Sequence, residues 1–164
     1  MNDPLATYLH DHLAGANLAI ELLRAMRTKH QDEPIGSFLD SLLAEIVEDR
    51  DTLKELAEET GTGQSTLKEL GAWLSEKASR FKLGDGANGP FEVFEALEFL
   101  SLGILGKLSL WSALHVAARS DTRLEGVDFT RLIGRAESQY AAVEKRRISC
   151  AETAFRRVKT ATQT

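Results

Sequence analysis

The residues of this 164-residue chain that could do chemistry are its four histidines, its one cysteine and a set of carboxylates and arginines on helical spacing. At 100° per residue, His12 falls near the centre of an apolar face made by Leu5, Tyr8, Leu9, Ala16, Ala19, Leu23 and Met26. His10 and Glu21 fall on the opposite side. Asp49 falls inside the face of Ile35, Phe38, Leu42, Ile46, Leu53 and Leu56, with Arg50 at its margin. Arg147 sits at the centre of the face Phe129, Ile133, Ala136, Tyr140, Val143, Ala154 and Val158. Ser101, Ser112 and His115 line up with Phe94, Leu97, Ile104 and Leu108.

Helices that turn back on one another set these groups at comparable heights. A turn at residues 31–33 brings His12 and Asp49 within about one helical turn. A turn near residue 123 brings Arg147 level with Phe99 and within a turn of Glu98, while Glu144 lies one turn away on its own helix. An imidazole beside a carboxylate serves either as a base with its orienting partner or as a core pair in which each satisfies the other. No convincing nucleophile accompanies the pair, because Cys150 lies far along the bundle. The core pair is therefore the reading adopted, and Arg147 with Glu98 and Glu144 reads as a structural ion network. His115 reads as hydrogen-bonded to a serine or a backbone carbonyl.

Metal chemistry is poorly served. A di-iron bundle needs Glu-x-x-His pairs, whose i, i+3 spacing sets both ligands on one face. Three residues before His10, His12, His30 and His115 stand Thr7, Leu9, Arg27 and Ser112. The near matches Glu45/Glu48 and Glu95/Glu98 carry no histidine, and His10 and His12 point to opposite sides. No metal and no cofactor are expected.

Punctuation along the chain gives the elements that must position these groups, five helical segments with almost no strand signal. The first, 4–30, opens on Asp3-Pro4 and the second, 34–60, on Pro34, stopping at Gly61-Thr62-Gly63. The third, 66–83, opens on the capping-box pattern Thr66 to Glu69. Gly84 to Pro90 is a loop, followed by helices over 90–119 and 128–161. Four long helices plus one shorter connecting helix make a single all-α domain, 1–164. In helix number, order and length the chain resembles the ferritin-like superfamily, with the short third helix as the crossover between two antiparallel pairs; a five-helix up-down bundle fits the lengths almost as well. The segment Tyr8-Leu9-His10-Asp11-His12-Leu13-Ala14-Gly15 also resembles a bacterial protein family without an assigned activity.

The run Phe99–Ala118 carries one certain charge, Lys107, and is expected to be surrounded on nearly every side. Lipid is excluded by Lys107 at its midpoint and by Glu92, Glu95 and Glu98 upstream. Gly103, Gly106, Ser109 and Ala113 form a small-residue strip on this helix, expected to let the third or the fifth helix approach closely; a small-ligand cavity is the alternative use. Trp73 and Trp111 read as core or interface anchors. Arg156, Arg157 and Lys159 suit the negative pole of the last helix.

A net charge of −5 argues against nucleic acid as a partner, and 43% hydrophobic with 27% charged residues is an ordinary globular balance. One cysteine excludes an internal disulfide. The amino-terminal residues lack the basic and apolar regions of a secretory signal, so a cytoplasmic setting is expected. The expected role is a non-enzymatic structural or interaction module that self-associates as a homo-oligomer. The alternative is a divergent ferritin-like metal-binding protein or oxidoreductase using His12, Asp49 and Glu98.

Overall fold

A computed structural model describes residues 3–61 and 89–156. The expected third segment 66–83, with its capping pattern and Trp73, lies outside the described residues, as do positions 84–88 of the loop, Arg157 and Lys159. The described elements are α1 (Pro4–Lys29), α2 (Gly36–Thr60), α3 (Gly89–Ala117), a short 3-10 turn (Thr122–Leu124) and α4 (Phe129–Ala154). No strand occurs among the described residues.

Local chemistry starts α1 and α4 where the sequence says it should, whereas α2 begins at Gly36, two residues after Pro34, without a side-chain cap. The Asp3 carboxylate accepts from the Leu5 amide at 2.9 Å and the Ala6 amide at 3.4 Å, ahead of Pro4 in the first turn. Asp128 accepts from the Arg131 amide at 3.0 Å and caps α4. Between α1 and α2 the chain folds back so tightly that a Cβ on Gly36 would stand 2.8 Å from the Gln31 carbonyl oxygen and 2.9 Å from that of His30. Only glycine fits there.

Side-chain pairs fix the helix directions. Arg27 pairs with Asp40, and His10 Nε2 lies 3.1 Å from the Gly61 carbonyl oxygen, so α1 and α2 are antiparallel over their length. Lys29 donates to Glu92 at 2.7 Å, and Arg123 pairs with Asp3, so α3 also runs opposite to α1. The Arg146 guanidinium sits 3.5 Å over the Phe38 ring and Arg135 donates to Glu48 at 2.6 Å, which makes α4 antiparallel to α2. The four helices thus close into a square in which α2 and α3 run the same way. Gly61 and Gly89 consequently stand at opposite ends of the bundle.

The core draws on all four helices, with Leu9, Leu23 and Met26 against Leu39, Leu97, Leu100, Trp111, Leu132 and Val143, all fully buried. Truncating any one of the large aliphatic members to alanine is the kind of change that costs about 2–5 kcal/mol.

One expectation needs correcting. α3 is not surrounded on every side by the described residues, for Leu102 is 60% and Val116 58% exposed, and Leu105, Ser109, Ser112 and Ala113 are exposed with them. The reason is geometric: a helix at the corner of a square has two neighbours and keeps an outer face. No helix among the described residues is long and apolar enough to cross a membrane.

Candidate functional site

Where α2, α3 and α4 meet, the sequence has placed ionic groups in the middle of an apolar core. Asp49 on α2 is 1% exposed and is met from two sides. Lys107 reaches it from α3, and Arg135 from α4. Gln139, one turn beyond Arg135, completes the cluster: its carbonyl oxygen accepts from Lys107, and its amide donates to Glu45 at 2.9 Å and to Asp49 at 3.3 Å. Arg135 also donates to Glu48 at 2.6 Å. A carboxylate this deep persists as an ion only because it is paired and hydrogen-bonded.

Burial acts on the two cations unequally. It pushes the Lys107 ammonium below its ordinary range, although the contact with Asp49 pulls the other way. For Arg135, burial is outweighed by Asp49 and Glu48, which raise it further. Of the two cations, Lys107 is thus the one whose charge is held less firmly.

The cluster forms part of the floor of a cleft of about 510 Å³ between α1, α2 and α3. Tyr8, Ala16 and Ala19 contribute from α1, Ile46 and Leu53 from α2, and Phe99, Leu100 and Trp111 from α3. Gly103 and Gly106 face the same space, and a Cβ added at either would meet nothing within 4 Å. Gly103 and Gly106 of the small-residue strip therefore open onto a cleft, and the expected approach by the last helix is not seen at them, while the third segment, the other helix expected there, lies outside the described residues.

The polar groups of the cleft are sparse and mostly engaged. Arg50 donates to Asp51 at 2.7 Å and to the Asn17 side-chain oxygen at 3.1 Å. His12 packs edge-on against Tyr8, with ring centroids 4.6 Å apart, and burial lowers its affinity for a proton. Two donors keep unused capacity. Lys107 has three N–H groups and two protein acceptors. The fully buried Trp111 indole N–H has no acceptor, a rarity in folded proteins that calls for an explanation.

The residues singled out from sequence fall into two places. His12 and Asp49 line the same cleft, but Asp49 is bonded to Lys107, Arg135 and Gln139, not to the histidine. Arg147 lies further along α4, donating to Glu98 at 3.1 Å and to Glu144 at 3.0 Å, with Ser101 donating to Glu144 at 2.9 Å. Glu98 is not buried, since half of its side chain is exposed, and the structure does not bring it to His12 and Asp49. His115 is exposed in the last turn of α3, with its ring edge-on to Phe129 at 6.4 Å between centroids. At these positions the four-helix square turns α3 outward, which is why two groups assigned inward from spacing reach solvent.

Lys107, Arg135, Gln139 and Glu45 were not assigned to a site from sequence. The signal for Lys107 was present, as the one certain charge in an apolar helix must find a carboxylate. Arg135 and Gln139 are spaced i, i+4, so they share one face of α4.

No family model, curated protein or solved structure matches the chain. What the cleft does has to be read from its own residues.

Proposed function

We propose that the protein binds a small, uncharged, mostly apolar molecule that presents a hydrogen-bond acceptor, with the cleft between α1, α2 and α3 as the site. The observation that carries this is the meeting of an apolar cleft of about 510 Å³, walled in part by the Trp111 side chain, with an under-used donor, Lys107 Nζ. Such a volume suits a small ligand, and a few polar groups on carbon walls are how such sites fix orientation. Charge selects the neutral class. Lys107 and Arg50 are offset at the cleft by Asp49 and Asp11, so an added carboxylate or ammonium would enter without a partner of its own.

Titration of Trp111 emission tests it, in a Trp73→Phe variant that leaves one indole. Methyl hexanoate is expected to saturate the signal, with hexanoate and hexylammonium weaker by on the order of tenfold or more. Gly103→Leu, whose Cβ would meet nothing within 4 Å and whose side chain would occupy the cleft, should abolish the response. No response to any of the three probes, or hexanoate binding as well as its ester, overturns the reading.

A second reading, self-association with another copy of this chain, is favoured by one observation. Leu102, Leu105, Ser109, Ser112 and Val116 make an exposed stripe without a charge, so a two-fold pairing of this face sets no like charges together. A dimer that dissociates in Leu102→Lys, seen by sedimentation, supports it; a monomeric parent removes it.

The helix order supports a ferritin-like bundle, because α2 and α3 run the same way and 62–88 joins opposite ends of the square. The metal-binding alternative draws no comparable support. Among the described residues no group of three or more metal-ligating side chains converges, and the centre of the bundle is held by the Lys107 ammonium.

A further inference from the structure

Asp49 is shared by two cations, and only one of them can give up its proton. The Arg135 guanidinium stays charged throughout the range in which proteins fold, whereas an amine on a flexible stem changes state readily when desolvated. Loss of the Lys107 charge leaves no orphaned anion, because Asp49 keeps Arg135 and Gln139. The surroundings from every packed element are consistent with this: Asp49 and Glu45 from α2, Arg135 and Gln139 from α4, and, across the cleft, Asp11 and His12 from α1. Lys107 is itself part of the cleft wall, one helical turn from Gly103, where there is open space.

An amine set in an apolar pocket beside another cation is an activated nucleophile toward carbonyl carbon. We infer that Lys107 captures an aldehyde in the cleft as an imine. The inference rests on the cleft being a ligand site and sharpens it, because the acceptor first presented to Lys107 is then a carbonyl oxygen, which leaves as water when the imine forms.

The step balances without an oxidant or reductant. The ammonium releases one proton to water, and Asp49 keeps its hydrogen bonds from Arg135 and Gln139. The nitrogen lone pair forms the C–N bond while the C=O π pair moves to oxygen. Nitrogen then loses its two remaining protons, which end on that oxygen; C–O breaks, water leaves and C=N forms. One aldehyde enters and one water departs.

The test is reductive trapping of the full chain with hexanal and cyanoborohydride, followed by peptide mapping. Lys107 is expected to be labelled on the order of tenfold faster than the exposed Lys54, because it is desolvated beside a second cation in the cleft wall. Gly103→Leu should remove the preference while Lys107 is still present. Lys107→Arg, which keeps the charge of the cluster, should remove the fast site with the helical circular-dichroism signal unchanged. Equal labelling of Lys107 and Lys54, or a preference that survives Gly103→Leu, overturns the inference. Methyl hexanoate separates the two proposals, since it carries the acceptor but forms no imine. If the ester binds and Lys107 is not trapped, only the covalent step fails; if neither ligand engages the cleft, both fail.

Discussion

Two ionic clusters bridge α3 and α4, nine residues apart along α3, or about 13 Å at the rise of a helix. Each pairs carboxylates with an arginine and an uncharged side chain. In one, Asp49 is 1% exposed and its partner Lys107 only 13%; in the other, Glu98 is 51% exposed and Arg147 19%. The difference shows in what moves the proton affinities. Direct hydrogen bonds from Arg147 lower the Glu144 carboxyl, and the same bonds raise Arg147, while for Lys107 burial is the leading cause. The same residue types thus make a solvated brace in one place and an interdependent core in the other. Dielectric, not composition, separates them.

The sharpest way to break this contrast is to remove one member of the buried cluster. Asp49→Ala would leave Lys107 and Arg135 facing each other without a carboxylate between them, and should cost about 3–5 kcal/mol in urea unfolding. A loss below about 1 kcal/mol, the range of an exposed pair, would show that water reaches the cluster freely.

Replacing the whole cluster asks a different question. Asp49→Leu with Lys107→Met and Arg135→Met removes the ions together, and such exchanges are often neutral or stabilising by about 1–4 kcal/mol. The expected triple variant unfolds at a urea concentration no lower than the parent but no longer binds methyl hexanoate. A triple variant as unstable as Asp49→Ala would mean that the cluster is kept for stability, and the functional argument would lose its basis.

Acid separates the two regions by cause. His12 is held below its ordinary pKa of 6.5 by burial, and Glu144 below 4.5 by Arg147. In both cases the unfolded chain binds protons more readily than the folded one, so stability rises with pH across each window. The His12 contribution is complete above 6.5 and is lost as pH falls from there toward the folded value. That of Glu144 is lost only below 4.5. His12→Gln should flatten the upper step in denaturation midpoint against pH. Added salt should shrink the Glu144 step, which Glu144→Gln removes, and leave the His12 step in place. A salt-sensitive upper step would assign it to a charge pair and not to burial.

How much of this was legible in the sequence follows from which quantities are local. Helix starts at Pro4 and Phe129 were readable, because a capping carboxylate and a proline act within one turn. Heights within a hairpin were readable as well. A turn near residue 123 sets Arg147 level with Phe99, and its partner is Glu98, one residue away. The cluster around Asp49 was not, because it joins α2 to α4 and α3, which no short turn connects. Inward-facing Asp49 and the lone Lys107 were each visible, but their pairing needed the packing of separate hairpins. The outward turn of Glu98 and His115 was hidden for the same reason, since a helix apolar on nearly every side does not announce which face meets its neighbours.

The smallest expected effect is the control that gives the comparison its meaning. Glu98→Ala removes a carboxylate that is half in water, and Arg147 keeps Glu144, one turn away on its own helix. No buried charge is stranded, so the cost in urea unfolding should be about 0–1 kcal/mol. Because the partners sit at the surface, raising the ionic strength should erase most of even that. The cost of Asp49→Ala, in a site nearly closed to solvent, should barely change over the same salt range. A Glu98→Ala variant that lost several kcal/mol and ignored salt would place both clusters in one electrostatic regime. Burial would then no longer mark the Asp49 cluster as the functional one.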